Sequence, residues 1–176
     1  MKRLSLQEFI IAALFTSLTA IGSYLIIPLP VSPVPISLQT FFVLMAGLIG
    51  GKYIGIASQI TYIFIGIIGI PVFAGGLGGL GVLLSPTGGF LIAFPLAAYI
   101  AGTRKNKTDS KTLLIKLIFA TLVIYTSGII YMIIGWNFNF KSAITAGVLP
   151  FIPGDFFKIF LLIILKKRMN NINFSF

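Results

Sequence analysis

Six long apolar stretches fill this chain, and only two acid or base residues fall deep inside any of them. Those two are Asp155 and Lys158, three positions apart in the last stretch. A charge at membrane depth is costly, so such residues normally face a bundle interior and serve a purpose. Three residues apart on a helix puts both side chains on one face. That face is the first place to expect a bound solute.

The composition agrees with a membrane solvent. The chain has 176 residues, 57% of them hydrophobic and only 9% charged, whereas soluble domains carry about 25% charged residues. Thirteen basic residues against three acidic ones give a net charge of +10. Their placement argues against nucleic acid as the partner. Lys2, Arg3, Lys52, Arg104, Lys105, Lys107, Lys111, Lys166, Lys167 and Arg168 lie between or beyond the apolar stretches, the pattern of headgroup contact and topology control. With no Cys there is no disulfide, thiolate nucleophile or sulfur-bound metal, and with no His no near-neutral proton shuttle or imidazole ligand.

A membrane helix needs about 20 mostly apolar residues. The expected spans are Leu6–Ile27, Ile36–Gly51, Tyr53–Ile70, Pro86–Gly102, Leu113–Gly135 and Ala143–Leu165. Lys2-Arg3 and the run after it resemble a signal peptide, but the run continues to Ile27 and more spans follow, so it reads as the first membrane helix. Pro28, Pro30, Pro33 and Pro35 make the first loop extended. The ten basic residues named above all lie on the side of the termini, and the other three loops hold only Lys141. Positive-inside therefore places both termini in the cytoplasm. The expectation is an all-α integral membrane protein of six transmembrane helices, one domain over 1–176. Tyr24 and Trp136 suit an outer interfacial belt. The segment Arg104–Thr112 is a cytoplasmic loop, which discounts the glycosylation patterns at Asn106-Lys107-Thr108 and Asn173-Phe174-Ser175.

Pro150, Pro153 and Gly154 just before Asp155 suggest that the last helix is interrupted there. Asp155 and Lys158 are then either a structural ion pair or a solute site. In a site, Lys158 binds an anion and Asp155 orients it or accepts a solute N–H. The run Gly75-Gly76-Leu77-Gly78-Gly79-Leu80-Gly81 contains G-x-G-x-x-G, but no strand–helix–strand context surrounds it and no acidic residue follows before Asp109. It is either a flexible loop or a mobile gate with close backbone approach to a ligand, and residue physics leaves both open. Gln59 and Thr61 read as helix-to-helix hydrogen-bonding groups, while Gln39 fits that role or a pocket equally well. Ala12-Thr16-Ala20 forms one narrow stripe and Ala13-Ser17 a second beside it, and small residues of this kind admit another helix. Gly47-Gly51-Gly55 crosses the Lys52 turn and is not one helix face.

Five motifs occur in order along the chain. They are the Ala12–Ala20 stripe, Pro33-Val34-Pro35-Ile36-Ser37-Leu38-Gln39-Thr40, Gly69-Ile70-Pro71-Val72-Phe73-Ala74-Gly75-Gly76, Pro86-Thr87-Gly88-Gly89-Phe90 and Pro150-Phe151-Ile152-Pro153-Gly154-Asp155-Phe156-Phe157-Lys158. In these the chain resembles the biotin-specific membrane subunits of energy-coupling factor transporters, the BioY family. The resemblance implies a six-helix subunit of the bacterial plasma membrane that captures biotin from outside. Asp155 and Lys158 would match the family's Asp-x-x-Lys site, with Gln39, Thr40, Gly75, Gly76, Gly79, Thr87 and Phe90 lining or covering the pocket. A cationic Lys suits the biotin carboxylate, and apolar residues suit its rings and tail. Ala12, Ala13, Thr16, Ser17 and Ala20 would dock a transmembrane coupling subunit joined to two cytoplasmic ATPases, with Thr16 and Ser17 standing where alanines are common. No Walker A motif is present, so ATP would be used only by the partners, and no cofactor is expected. The alternatives are the same architecture with another carboxylated vitamin, a membrane enzyme using the Asp–Lys dyad, and a structural or channel protein.

Overall fold

The computed structural model describes residues 4–30, 32–103 and 109–171. Lys2, Arg3, Arg104, Lys105, Lys107 and both glycosylation patterns lie outside the described residues. Every expected span contains a helix. α1 is Leu6–Tyr24, α2 Gln39–Gly50, α3 Lys52–Ile67, α4 Leu80–Leu83, α5 Gly88–Ala101, α6 Ser110–Trp136, α7 Phe140–Gly147 and α8 Ile152–Asn171. α1 opens with a capping box, in which the Ser5 side chain accepts from the Glu8 N–H and the Glu8 carboxylate accepts from the Ser5 N–H.

Four features add to or correct the sequence expectation. The extended first loop is not free coil, because β1 (Ile26–Ile27) pairs antiparallel with β2 (Ile36–Ser37) in the register Ile26↔Ser37 and Ile27↔Ile36. A proline-rich segment cannot form a helix, yet its ends still need backbone partners, and the short ladder supplies them. The interruption expected near Pro150 is present: the last span is two helices, α7 and α8, bent by 48°, with the break over residues 148–151. The glycine-rich segment leads into the short helix α4. Finally, Lys111 and Thr112 belong to the first turn of α6 rather than to the preceding loop.

α1 and α6 are each long and apolar enough to cross a membrane, and the bent pair α7 and α8 together makes a third such span. α2, α3 and α5 are apolar but shorter, with 12, 16 and 14 residues. Large apolar side chains face outward along the bundle, including Phe9 and Leu14 on α1, Phe119 and Ile134 on α6, and Phe156 and Phe160 on α8. A surface of this kind suits lipid rather than water.

In lipid the hydrophobic effect does not pull helices together, so close packing and interhelical hydrogen bonds do. α2, α3 and α5 meet over small residues. A Cβ at Gly47 would lie 1.9 Å from the Ala98 carbonyl oxygen, and one at Gly55 would lie 2.9 Å from the Gly47 Cα. Gly47 and Gly55 thus face each other across the Lys52 turn, although they belong to different helices. Ala97, Ala98 and Ala101 on α5 are fully buried. α1 is held to α3 by hydroxyls. Thr16 Oγ1 donates to the Ser58 carbonyl at 2.9 Å, and Gln59 Nε2 donates to Thr19 Oγ1 at 3.2 Å. Gln59 therefore has the helix-bridging role expected of it, whereas Thr61 faces outward.

Gly47→Ala forces the α5 backbone away from α2 and is expected to cost about 1–3 kcal/mol. Gly81→Ala, which meets nothing within 4 Å, should be nearly neutral. Thermal unfolding of both variants in detergent checks the contrast.

Candidate functional site

The break before α8 decides where the charged pair sits. Pro153 occupies the first turn of α8, where a missing N–H costs no helical hydrogen bond. Asp155 then lies in that same turn, where the positive end of the helix dipole favours a carboxylate. One turn later Lys158 returns to the same face, and its Nζ lies 2.8 Å from Asp155 Oδ1. Both residues are only 6% exposed.

Two other helices complete the cluster. Thr40, in the first turn of α2, accepts from Lys158 Nζ at 2.8 Å and directs its own hydroxyl toward Asp155 Oδ1 at 3.4 Å. Tyr125, midway along α6, donates to Asp155 Oδ2 at 2.5 Å. Both carboxylate oxygens are therefore engaged, and the ammonium has two oxygen partners. Desolvating two charges is costly, and only good geometry with further hydrogen bonds offsets it. α2, α6 and α8 provide that geometry jointly.

The cluster forms part of the wall of a cavity of about 290 Å³. The wall also draws on the Pro33–Pro35 segment, Ser37 and Gln39, on Ala74 and Leu77, on Ser85 to Thr87, and on Phe90, Leu91 and Phe94 of α5. These positions gather at the loop-rich end of the bundle, where α1 and α3 end and α2 and α5 begin. Most of the wall is apolar, with a few hydroxyls and one net-neutral ion pair. Such a cavity suits a small, largely apolar solute that carries a compact polar group.

The structure brings together Gln39, Thr40, Thr87, Phe90, Asp155 and Lys158 at this one cavity. Gln39 is 5% exposed; its Oε1 accepts from Ser37 Oγ at 3.0 Å and its Nε2 donates to the Tyr62 hydroxyl. The structure does not bring Gly75, Gly76 and Gly79 to the wall. Their φ angles of 74°, 74° and 92° fold the segment back on itself, so that Phe73 bridges Leu77. Their neighbours Ala74 and Leu77 line the cavity instead. The small-residue stripes also divide. Ala12 and Thr16 are buried against the neighbouring helices and Ala20 is half-buried against the core. Ala13 and Ser17 face outward. A helix from another protein therefore has the second stripe available, and not the first.

Tyr125 is a residue of the candidate site that sequence reasoning missed. A phenol in the middle of an apolar span needs a polar partner at that depth, and that is the signal which points to it. The Trp136 ring is likewise tethered, its Nε1 donating to the Leu84 carbonyl at 3.2 Å. Tyr125→Phe keeps the ring and leaves Asp155 Oδ2 without its donor. Hydrogen bonds to charged groups contribute about 1.5–3 kcal/mol, and thermal unfolding in detergent is expected to show a loss of that size. An unchanged melting temperature would mean the contact carries no stability.

The sequence pattern of the BioY family matches residues 1–173. A relative from Pyrococcus horikoshii, named a probable biotin transporter BioY, is 42% identical over 163 residues, covering 93% of this chain and 96% of its own. The biotin transporter BioY of Thermotoga maritima is 33% identical, covering 95% and 98%. Among solved structures, a crystal structure of the S-component for biotin from an ECF-type ABC transporter matches with a TM-score of 0.86 at 26% identity, covering 96% of this chain and 95% of that one. With its apolar helices and its relatives among membrane transporters, the chain is an integral membrane protein, and it belongs to the BioY family.

Proposed function

We propose that this chain is the membrane-embedded biotin-binding subunit of a vitamin uptake transporter. The observation that carries the proposal is the buried, net-neutral Asp155–Lys158 pair in the wall of an otherwise apolar cavity. The relatives are named biotin transporters, and biotin has the chemistry that such a cavity selects. Its ureido ring carries two N–H donors and one carbonyl acceptor on an apolar bicycle.

The geometry favours that ring, rather than the carboxylate, as the partner of the pair. With Asp155 at 2.8 Å, Lys158 is not a free cation, and an added carboxylate would meet little net positive charge. A ureido group instead donates to Asp155 and accepts from the Lys158 N–H not used by Asp155 and Thr40, so that the ion pair stays intact. Ser85 Oγ donates to the Val82 carbonyl at 2.7 Å and shares a hydrogen bond with Thr87 Oγ1 at 2.7 Å, and these hydroxyls would re-aim to meet the carboxylate tail. Phe90, Leu91 and Phe94 cover the bicycle.

On this reading the chain crosses the plasma membrane six times as a single bundle over residues 1–176, with α2, α3 and α5 as short spans and α7 with α8 as one broken span. Both termini are cytoplasmic, as the distribution of Lys and Arg supports, and the cavity opens toward the outside. The chain captures biotin, needs no cofactor of its own, and leaves ATP hydrolysis to the two ATPases of an energy-coupling module. Ala13 and Ser17 on the outward face of α1 meet that module's transmembrane subunit, because only that stripe lets a second helix approach closely.

Calorimetric titration of the detergent-purified protein with biotin tests the binding proposal. Saturable binding is expected, weakened about 100-fold or more in Lys158→Ala, since truncating one member of a buried charge pair typically costs 2–5 kcal/mol. Unchanged affinity in the variant would sink the role of Lys158, and no binding by folded wild-type protein would sink biotin itself. Ala13→Leu is expected to spare binding while reducing co-purification with the coupling subunit. Intact co-purification would place that contact elsewhere.

A further inference from the structure

Tyr62, on α3, is fully buried and is not part of the cavity wall, yet it touches both sides of it. Its hydroxyl accepts from Gln39 Nε2 and donates to the Val72 carbonyl at 2.8 Å. Gln39 in turn accepts from Ser37 Oγ at 3.0 Å. One side of this relay is the β2–α2 junction, which gives the cavity Ser37, Gln39 and Thr40. The other side is the segment after α3, which gives it Ala74 and Leu77. The Tyr62 ring meets Phe73 edge-on at 5.6 Å and stacks on Phe94 at 6.4 Å. Phe73 is itself fully buried, directly beside Ala74.

We propose that Tyr62 is a positioning residue that ties the two walls of the cavity together and thereby sets how fast a bound solute leaves. This rests on the biotin-binding reading of the cavity. The glycine-rich segment has further ties, from the Gly75 N–H to the Ser23 carbonyl at 3.1 Å and from the Gly79 N–H to the Gly66 carbonyl at 2.7 Å. Both run from backbone to backbone and hold the segment to α1 and α3, not to the opposite wall. The Tyr24 hydroxyl reaches the Pro71 carbonyl at an exposed edge. The Tyr62 hydroxyl makes the buried cross-connection. Without it, the Val72 carbonyl and the Gln39 amide lose partners in a site from which water is largely excluded. The wall that carries Ala74 and Leu77 is then freer to move away from a bound solute.

Tyr62→Phe keeps the ring contacts with Phe73 and Phe94 and removes only the hydroxyl. Stopped-flow measurement with biotin on detergent-purified protein is expected to show dissociation about tenfold faster, the factor that one lost hydrogen bond represents, with association changed less. A purely structural role predicts another result: fewer binding-competent molecules, each releasing biotin at the wild-type rate. That result, or an unchanged dissociation rate in fully folded variant, would overturn the proposal. Should the variant fail to fold, amide exchange on wild-type protein decides. Biotin is expected to slow exchange at Phe73 and Gly75, and no slowing would overturn the proposal. If folded wild-type protein does not bind biotin, the reading of the cavity fails and the proposal falls with it.

Discussion

Two charges buried in the wall of the cavity constrain this protein more than any other feature. An isolated carboxylate or ammonium so deeply buried would neutralise or pull the chain toward an interface, because burial strips away most of the solvent that stabilises its charge. Asp155 and Lys158 remain because each answers the other, and because Thr40 and Tyr125 add further hydrogen bonds to the pair. That requirement propagates outward. α2 must begin where Thr40 reaches the pair, α6 must pass with Tyr125 at the same level, and α8 must restart just ahead of Asp155. Pro150 between α7 and α8 and Pro153 in the first turn of α8 meet the last condition by permitting a new helix to start at a new angle.

The two ends of the bundle divide the remaining work. Away from the cavity, glycine and alanine let α2, α3 and α5 approach to backbone contact, which is what holds helices together in a solvent as apolar as they are. At the cavity end larger rings take over, and Tyr62, Phe73, Phe90 and Phe94 brace the wall. Close packing at one end gives the other a rigid frame on which to hold an open volume.

Most of this frame could be read before any coordinates. Hydropathy located the segments of all the helices except the short α4, because apolar length is a local property. Helix periodicity put Asp155 and Lys158 together, because three residues on one helix is also local. The proline cluster announced the break before α8, although hydropathy alone drew one span across it. What escaped was non-local. Tyr125 meets Asp155 across 30 positions of sequence, and nothing in either segment announces the other. The orientation of α1 was hidden for the same reason. Its two small-residue stripes look alike, and only the position of Ser58 on α3 shows which of them faces inward. The glycines marked their segment correctly but not its role. Left-handed backbone at Gly75, Gly76 and Gly79 shapes the turn, and the neighbouring side chains do the lining.

The mutual satisfaction of Asp155, Lys158, Thr40 and Tyr125 has a thermodynamic consequence. A ligand that engages these groups exchanges one set of hydrogen bonds for another, so the polar contacts provide discrimination more than net affinity. A ligand without the complementary donors and acceptors would leave charged groups unpaired and be rejected. The free energy of a correct ligand must then come chiefly from covering apolar surface, and association should carry a clearly negative heat-capacity change.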